Sequence, residues 1–162
     1  MIKIIWAQTK SGVIGKDAKL PWNIPEEMKH FKKTTINSSV LMGRKTFTSM
    51  NNKKLPNRIN YVLTKNLDSY KDNQDGLFFI NNVDSLIEEY QTNEKDLYVI
   101  GGNSVFSKMI DSADQLIRTI IKEEYEGNVY IDEVNLTKFD KINVVEYKDF
   151  YIEYFTRRKD DN

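Results

Sequence analysis

Short apolar stretches, rich in β-branched and aromatic residues, recur along the whole chain. They occupy residues 2–7, 40–42, 59–63, 77–80, 97–100, 116–121, 129–131 and 150–155. Several are apolar without strict alternation, which is typical of β-strands covered on both faces. The segments between them predict helices over residues 25–34, 45–50, 84–90 and 104–110. This alternation predicts an α/β domain in which helices cover both faces of a largely parallel sheet.

The pattern changes at about Leu116, after which no further helix is predicted. The last apolar stretches are separated by turn-rich polar segments, so we expect them to join the sheet edge as antiparallel strands. The sequence contains no repeat, low-complexity tract or interdomain linker. Residues 1–162 are therefore expected to form a single domain.

The composition narrows the possible classes of function. Lys plus Arg and Asp plus Glu each number 24, so the chain lacks the basic excess of nucleic-acid-binding and membrane-surface proteins. The absence of cysteine excludes disulfides and thiolate metal sites, and a single histidine argues against a His-rich metal site. No stretch resembles a signal peptide or a membrane span. We expect a soluble, cytoplasmic monomer with no metal and no nucleic-acid or membrane partner.

Residues suited to anion binding follow three of the predicted strands. They are Gly43-Arg44-Lys45-Thr46, Thr64-Lys65 and Gly101-Gly102-Asn103-Ser104. In open α/β sheets, ligands bind beyond the carboxyl ends of the strands, and glycines let backbone amides approach a pyrophosphate. Each segment alone is equally typical of a turn or of solvated charge, and Gly101-Gly102 does not match the G-x-G-x-x-G fingerprint. Together the three segments predict that the protein binds a ligand with several phosphates and that its fold is not an ordinary Rossmann domain.

A long connection over residues 12–25 contains two glycines, two prolines and Trp22. Long irregular connections in compact domains are often functional lids. Trp22 alone fits a role as a core anchor equally well.

The helix that follows carries two adjacent carboxylates with different surroundings. At 100° per residue Ile24, Met28 and Phe31 share one apolar face of the helix. Glu27 lies about 40° from Phe31, on the edge of that stripe, whereas Glu26 points to the opposite side. The helix dipole explains an acid at Glu26. A carboxylate that faces apolar residues is costly unless it binds something, so Glu27 is a candidate ligand-binding group.

Several segments, taken in order, carry a family resemblance. They are Ile5-Trp6-Ala7, Val13-Ile14-Gly15, Leu20-Pro21-Trp22-Asn23-Ile24-Pro25, Phe31-Lys32, Met42-Gly43-Arg44-Lys45-Thr46, Leu55-Pro56-Asn57-Arg58, Ile100-Gly101-Gly102 and Glu126-Gly127. In order and spacing the chain resembles the bacterial dihydrofolate reductases, from its first strand to Tyr154-Phe155. The resemblance implies an eight-stranded sheet, parallel except for the C-terminal strand, with four flanking helices. It also implies an enzyme that reduces dihydrofolate with NADPH.

The resemblance further implies which residues form the site. Glu27, helped by Thr119, would pair with the 2-amino group and N3 of the pterin, and Arg58 would bind the substrate's glutamate α-carboxylate. Trp22 would hold an ordered water over the site, and the proton for N5 would enter beside Leu20 and Trp22. The folate pocket would be lined by Ile5, Ala7, Met28, Phe31, Ser49, Met50, Leu55 and Ile100. NADPH would be held by Ala7, Ile14, Gly15, Leu20, Gly43, Arg44, Lys45, Thr46, Leu63, Thr64, Lys65, Ile100, Gly101, Gly102, Asn103, Ser104, Val105 and Phe106, with a cis peptide bond between the two paired glycines.

Three positions depart from the family pattern. Asn103 stands where a third glycine is usual, an extra residue near 51–53 lengthens the segment before Leu55, and Asn128 replaces an aspartate. In relatives that aspartate accepts hydrogen bonds from backbone amides of the 12–23 segment. We therefore expect Asn128→Asp to tighten NADPH binding and Asn128→Ala to loosen it, although Asn128 also fits a simple surface turn.

Two other functions fit part of the sequence. A riboflavin-pathway pyrimidine reductase shares the architecture and the use of NADPH but lacks the Pro-Trp…Glu helix and the Leu-Pro-x-Arg segment. A nucleotide-binding regulatory module without catalysis explains the anion sites but leaves Glu27 without a role. The single histidine, His30, is expected to be exposed on the flank of its helix.

Overall fold

The computed structural model describes residues 1–17 and 19–159, with the backbone alone at residues 67 and 69. Its strands are β1 (Ile2–Thr9), β2 (Val13–Gly15), β3 (Ser39–Gly43), β4 (Ile59–Leu63), β5 (Leu77–Ile80), β6 (Leu97–Gly101), β7 (Gln115–Ile121), β8 (Val129–Tyr130), β9 (Phe139–Glu146) and β10 (Phe150–Arg157). Its helices are α1 (Pro25–Thr35), α2 (Arg44–Ser49), α3 (Asp84–Thr92) and α4 (Asn103–Met109), with 3₁₀ turns at Leu67–Asp72 and Ile110–Ser112.

Eight strands form one sheet in the order β5-β4-β3-β6-β1-β7-β10-β9. Neighbours from β5 to β7 pair in parallel, and β10 runs antiparallel to both β7 and β9. This confirms the predicted α/β class, with a mostly parallel eight-stranded sheet and an antiparallel C-terminal strand. The four predicted helices are also present, each with ends within two residues of those expected.

The expectations for the C-terminal third were partly wrong. The 116–121 stretch lies in β7, which pairs with β1 in parallel rather than antiparallel. Helix α4 supplies the crossover that such a parallel connection requires. The 129–131 stretch does not extend the main sheet, because β8 pairs with β2 in a separate two-stranded sheet. The eighth strand is instead β9, an edge strand of mostly exposed residues in which four apolar residues are interrupted by Asp140, Lys141 and Asn143.

The sheet divides the core into two apolar clusters. Helices α3 and α4 pack on one face, where Leu86, Val105 and Met109 join Ile4 and Leu97. Helices α1 and α2 cover the other face together with Trp22. Within the described ranges, no helix is long and apolar enough to cross a membrane.

Helix α1 is placed by its own sequence. Pro25 opens it, acids occupy its first turn, and Lys32 and Lys33 occupy its last turn, all favourable to the helix dipole. Its inner side packs against the sheet through Phe31. This orientation buries Glu27 and leaves Glu26 exposed, as the helical spacing predicted.

Candidate active site

The three predicted anion-binding segments emerge side by side from the sheet. Strands β4, β3 and β6 are parallel neighbours, with Gly43 in register with Leu63 and Met42 in register with Gly101. Their carboxyl ends therefore lie along one edge, which is where α/β sheets bind ligands. Arg44, Lys45, Thr46, Thr64 and Lys65 follow these ends.

The cations and hydroxyls at this edge differ in how they are held. Arg44 and Lys65 are exposed, and the Arg44 guanidinium lies 5.2 Å from the centroid of the Phe79 ring. Thr64 is buried, and its hydroxyl accepts the backbone N–H of Asn66 at 3.1 Å. Positive charge is thus concentrated beyond the strand ends, where it can meet an anionic group.

The Gly101–Gly102 peptide bond is cis, as the resemblance implied. The carbonyl of Gly102 accepts the N–H groups of Val105 and Phe106 and so begins α4. A Cβ added at Gly43 would lie 3.1 Å from Val105 Cγ2, so a side chain there would press on α4. The glycines therefore let the first residues of α2 and α4 lie close to the Gly101–Gly102 turn.

Val105 and Phe106 pack directly behind the strand-end glycines. Val105 is fully buried, and its Cγ2 would lie 3.1 Å from a Cβ at Gly43. The Phe106 ring is partly buried and packs against Trp6 with centroids 5.9 Å apart. Ser104, by contrast, is exposed beside the turn.

Most residues predicted to line the folate pocket share one face of the sheet. They are Ile5, Ala7, Phe31, Met50, Leu55 and Ile100, which pack in the cluster that contains Trp22. Thr119 is buried on β7 directly opposite Ala7 of β1. The extra residue near 51–53 is accommodated in a turn with positive φ at Asn51 and Asn52, and it does not displace Leu55 from the cluster.

Glu27 is a buried acid in this apolar environment, with 7% of its surface exposed. Burial raises the pKa of its carboxyl group above the ordinary value of 4.5, and the nearby Trp22 indole offsets part of that rise. The indole Nε1 is itself buried and reaches no acceptor at hydrogen-bond geometry in the described chain. Trp22 is therefore a core residue, and its contact with an ordered water stays a prediction.

Two residues predicted to contact ligands expose apolar surface. Leu20 is 56% exposed and Met28 is 57% exposed, although Met28 was expected to share the buried stripe of α1. Ser49 is also exposed, and its hydroxyl donates to the carbonyl of Thr46 at 2.6 Å.

Arg58 follows a turn that Asn60 holds in place. The fully buried Asn60 side chain accepts the N–H of Leu55 at 2.9 Å and donates to the carbonyls of Leu55 and Arg58 at 2.9 and 3.1 Å. Asn60 was missed as a site residue, and the only signal was an amide inside an apolar stretch. Arg58 is buried, its Nε has no partner within the described ranges, and burial lowers its pKa. It lines a groove of about 730 Å³ beside the amino ends of β3, β4 and β6, whose other lining residues include Leu55, Glu94 and Asp96.

The expectation that His30 is exposed was wrong. Its ring is partly buried, with Nδ1 3.3 Å from the Thr34 hydroxyl and Nε2 enclosed without a partner among the described residues. Burial lowers its pKa below 6.5, which favours the neutral ring. Position on the helix flank did not reveal this, because neighbouring residues cover the ring.

The first part of the 12–23 segment is held by residues far along the chain. Ile14 and Gly15 lie in β2, which pairs with β8. Asn128 bonds to the backbone and the side chain of Asp17. Leu20 and Trp22 follow in the same segment. The β2 residues predicted to bind NADPH are thus followed by the residues predicted to act in proton delivery.

Known proteins resemble this chain over nearly its full length. The family model for dihydrofolate reductase matches residues 1–156. The dihydrofolate reductase of Mycoplasma genitalium is 41% identical over 162 residues, covering 98% of this chain and 99% of the relative. That of Ureaplasma parvum is 34% identical over 161 residues, with 99% of each chain covered. A solved dihydrofolate reductase from Enterococcus faecalis, in complex with NADP(H) and RAB-propyl, superposes with a TM-score of 0.88 at 34% identity, covering 98% of this chain and 97% of that one. The sheet, the edge of strand ends and these relatives together place the chain in the dihydrofolate reductase family.

Proposed function

We propose that this protein reduces 7,8-dihydrofolate to 5,6,7,8-tetrahydrofolate with NADPH. The observation that carries the proposal is Glu27, a buried carboxylate with a raised pKa within an apolar face. A flat heteroaromatic ring with an amidine-like edge would cover the apolar side chains and offer this carboxylate two charge-assisted hydrogen bonds. The pterin ring has both features. Thr119, buried on a neighbouring strand, would assist at the 2-amino group.

The residues at the strand ends suit NADPH. The glycines there leave the backbone open to phosphate groups, since a side chain would crowd the start of α4. Arg44, Thr64 and Lys65 supply two cations and a hydroxyl for the 2′-phosphate. The Enterococcus faecalis relative is bound to NADP(H), which supports the same cofactor here.

When bound, NADPH supplies a hydride from C4 of its nicotinamide ring to C6 of the pterin. Glu27 orients the pterin from the opposite edge and stabilises the N5-protonated ring electrostatically, without reaching N5 itself. The buried donor of Trp22 orders a water, and the exposed Leu20 controls its access to N5. The apolar face excludes bulk solvent from the reacting atoms. The tetrahydrofolate formed would supply one-carbon metabolism.

The test is the fall in absorbance at 340 nm when purified protein is mixed with dihydrofolate and NADPH. Turnover with dihydrofolate and none with a riboflavin-pathway pyrimidine supports the proposal. Turnover with the pyrimidine alone identifies the other reductase. NADPH binding without oxidation of the cofactor by either substrate identifies a non-catalytic module.

A further inference from the structure

Asn103 connects two parts of the molecule that are distant in sequence. Its Nδ2 donates to the carbonyl of Tyr130 at 2.8 Å, and its Oδ1 accepts the N–H of Asp132 at 3.0 Å. Both polar atoms of the amide are therefore bonded to backbone groups of a single segment. These partners lie 27 and 29 residues further along the chain.

The amide does not serve its own helix. Asn103 is the first residue of α4, directly after the Gly101–Gly102 turn, and Gly102 occupies the N-cap position without a side-chain cap bond. A first-turn asparagine often bonds locally to its own backbone. Here the side chain faces across to β8 instead, so its bonds are tertiary.

The segment that Asn103 binds is also the one that holds the start of the 12–23 segment. β8 pairs with β2, the N–H of Ile131 donates to Gly12 O at 2.8 Å, and that of Asn128 donates to Gly15 O at 3.1 Å. Packing there is tight, since a Cβ at Gly127 would lie 2.6 Å from the Gly15 oxygen. Movement of the 128–132 segment must therefore carry β2 with it.

We propose that Asn103 is a positioning residue that holds the β2–β8 sheet in register with the Gly101–Gly102 turn. This rests on the proposed function, in which residues of α4 and residues 14–15 of β2 contact the same NADPH molecule from two sides. The Asn103 amide joins those two sides through residues 130 and 132. Asn103 stands where a glycine is usual in the family, and its side chain makes two hydrogen bonds that a glycine cannot make. It affects NADPH binding by positioning the segments that it connects.

The first experiment measures the dissociation constants of NADPH and of a diaminopyrimidine for Asn103→Ala. Loss of two neutral hydrogen bonds should weaken NADPH about fivefold, or about 1 kcal/mol, and change diaminopyrimidine binding less than twofold. Asn135→Ala is the matched control, because among the described residues the side chain of Asn135 bonds within its own turn, to Thr137 N and Oγ1. Ser107→Ala, whose hydroxyl bonds the Asn103 carbonyl inside α4, controls for the helix itself. Both controls should bind NADPH as the wild type does.

The second experiment is a double-mutant cycle that combines Asn103→Ala with Asn128→Ala and measures the dissociation constant of NADPH. Because both residues act through the 128–132 segment, the double variant should lose less affinity than the two single losses combined. Unchanged NADPH binding in Asn103→Ala, equal weakening of both ligands, or an additive cycle would each overturn the proposal. These binding measurements do not require turnover, so a protein that binds NADPH but fails to reduce dihydrofolate would refute the proposed function separately.

Discussion

Asn128 and Asp17 are joined by reciprocal hydrogen bonds, both of 3.1 Å. The backbone N–H of Asp17 donates to Asn128 Oδ1, and Asn128 Nδ2 donates to the Asp17 carboxylate. An aspartate at position 128 would keep the first bond, lose the second and place two carboxylates against each other. The Asn128 amide therefore makes two hydrogen bonds with Asp17, whereas an aspartate would make one.

This geometry reverses the effect expected from the sequence for Asn128→Asp. We now expect the change to speed NADPH dissociation roughly two- to tenfold at neutral pH, because one hydrogen bond becomes a like-charge contact. The exchange Asp17→Asn plus Asn128→Asp restores a donor facing an acceptor and should recover most of the loss. Stopped-flow measurement of NADPH release from both variants is the test, and slower release from Asn128→Asp than from the wild type would show that Asp17 does not decide the effect.

Glu27→Gln should remove most activity at neutral pH while leaving the fold intact. The amide presents a donor where the pterin needs a charged acceptor, and an unpaired buried donor costs about 1–3 kcal/mol. Activity should partly return as the pH falls, because substrate already protonated in solution needs less help from the carboxylate. Glu26→Gln, one residue away and exposed, is the matched control and should retain wild-type rates. Full activity of Glu27→Gln at pH 7 would exclude the assigned role.

The same substitution should change how the stability of the unliganded protein depends on pH. Burial raises the folded-state pKa of Glu27 above its ordinary value of 4.5, so the folded protein binds more protons between those two values than the unfolded chain. Stability therefore falls as the pH rises through that window, and the penalty is complete above the folded-state pKa. Glu27→Gln removes this pH-dependent penalty, so its free energy of unfolding relative to that of the wild type should be higher at neutral pH than below pH 4.5. Urea unfolding at pH 7 and below pH 4.5 measures this change; a constant difference across pH would contradict it.

Cofactor preference should depend on the cations at the strand ends. Arg44→Ala combined with Lys65→Ala should raise the Michaelis constant for NADPH at least tenfold and leave that for NADH nearly unchanged, because charge-assisted bonds to the 2′-phosphate are lost. Lys29→Ala combined with Lys33→Ala removes the same charge from the exposed side of α1 and serves as the control. Equal effects on the two cofactors would place the phosphate site elsewhere.

Arg58→Ala should weaken dihydrofolate and spare small diaminopyrimidines that lack the glutamate tail. Loss of a charge-assisted contact to the α-carboxylate should cost on the order of 2–3 kcal/mol. Dissociation constants measured by fluorescence quenching for the two ligands provide the comparison. If both ligands weaken alike, Arg58 supports the Leu55 turn rather than the ligand.

The sequence predicted the framework of the site because that framework is local. Strand ends, glycine turns and the burial of Glu27 follow from apolar runs and from helical spacing within a few residues. The pairing of β8 with β2 does not, because it joins segments more than 110 residues apart through backbone bonds that any side chain permits. Strand β9 was missed because Asp140, Lys141 and Asn143 interrupt its apolar residues, so they form no continuous apolar stretch at this exposed sheet edge.

Polar positioning residues were the hardest to find from sequence. Asp17 and Asn103 each act through a partner distant in sequence, and an amide or carboxylate in sequence does not reveal that partner. Asn60 bonds across its own turn, which an amide inside an apolar stretch did not indicate. The burial of His30 depends on the residues that cover its ring, which helical spacing does not show. The resemblance indicated which atoms should meet a ligand, whereas the structure was needed to show what holds those atoms in place.

The two-stranded sheet of β2 and β8 is separate from the eight-stranded sheet. It can consequently open as a local unit, at a smaller free energy than global unfolding, while every hydrogen bond between β1 and β7 remains intact. Amide hydrogens in β2 and β8 then exchange with solvent through this local opening. Those in β1 exchange only through rarer unfolding of a larger part of the protein. Thermal stability and loop opening are therefore separable properties of this protein, and substitutions that raise one need not slow the other.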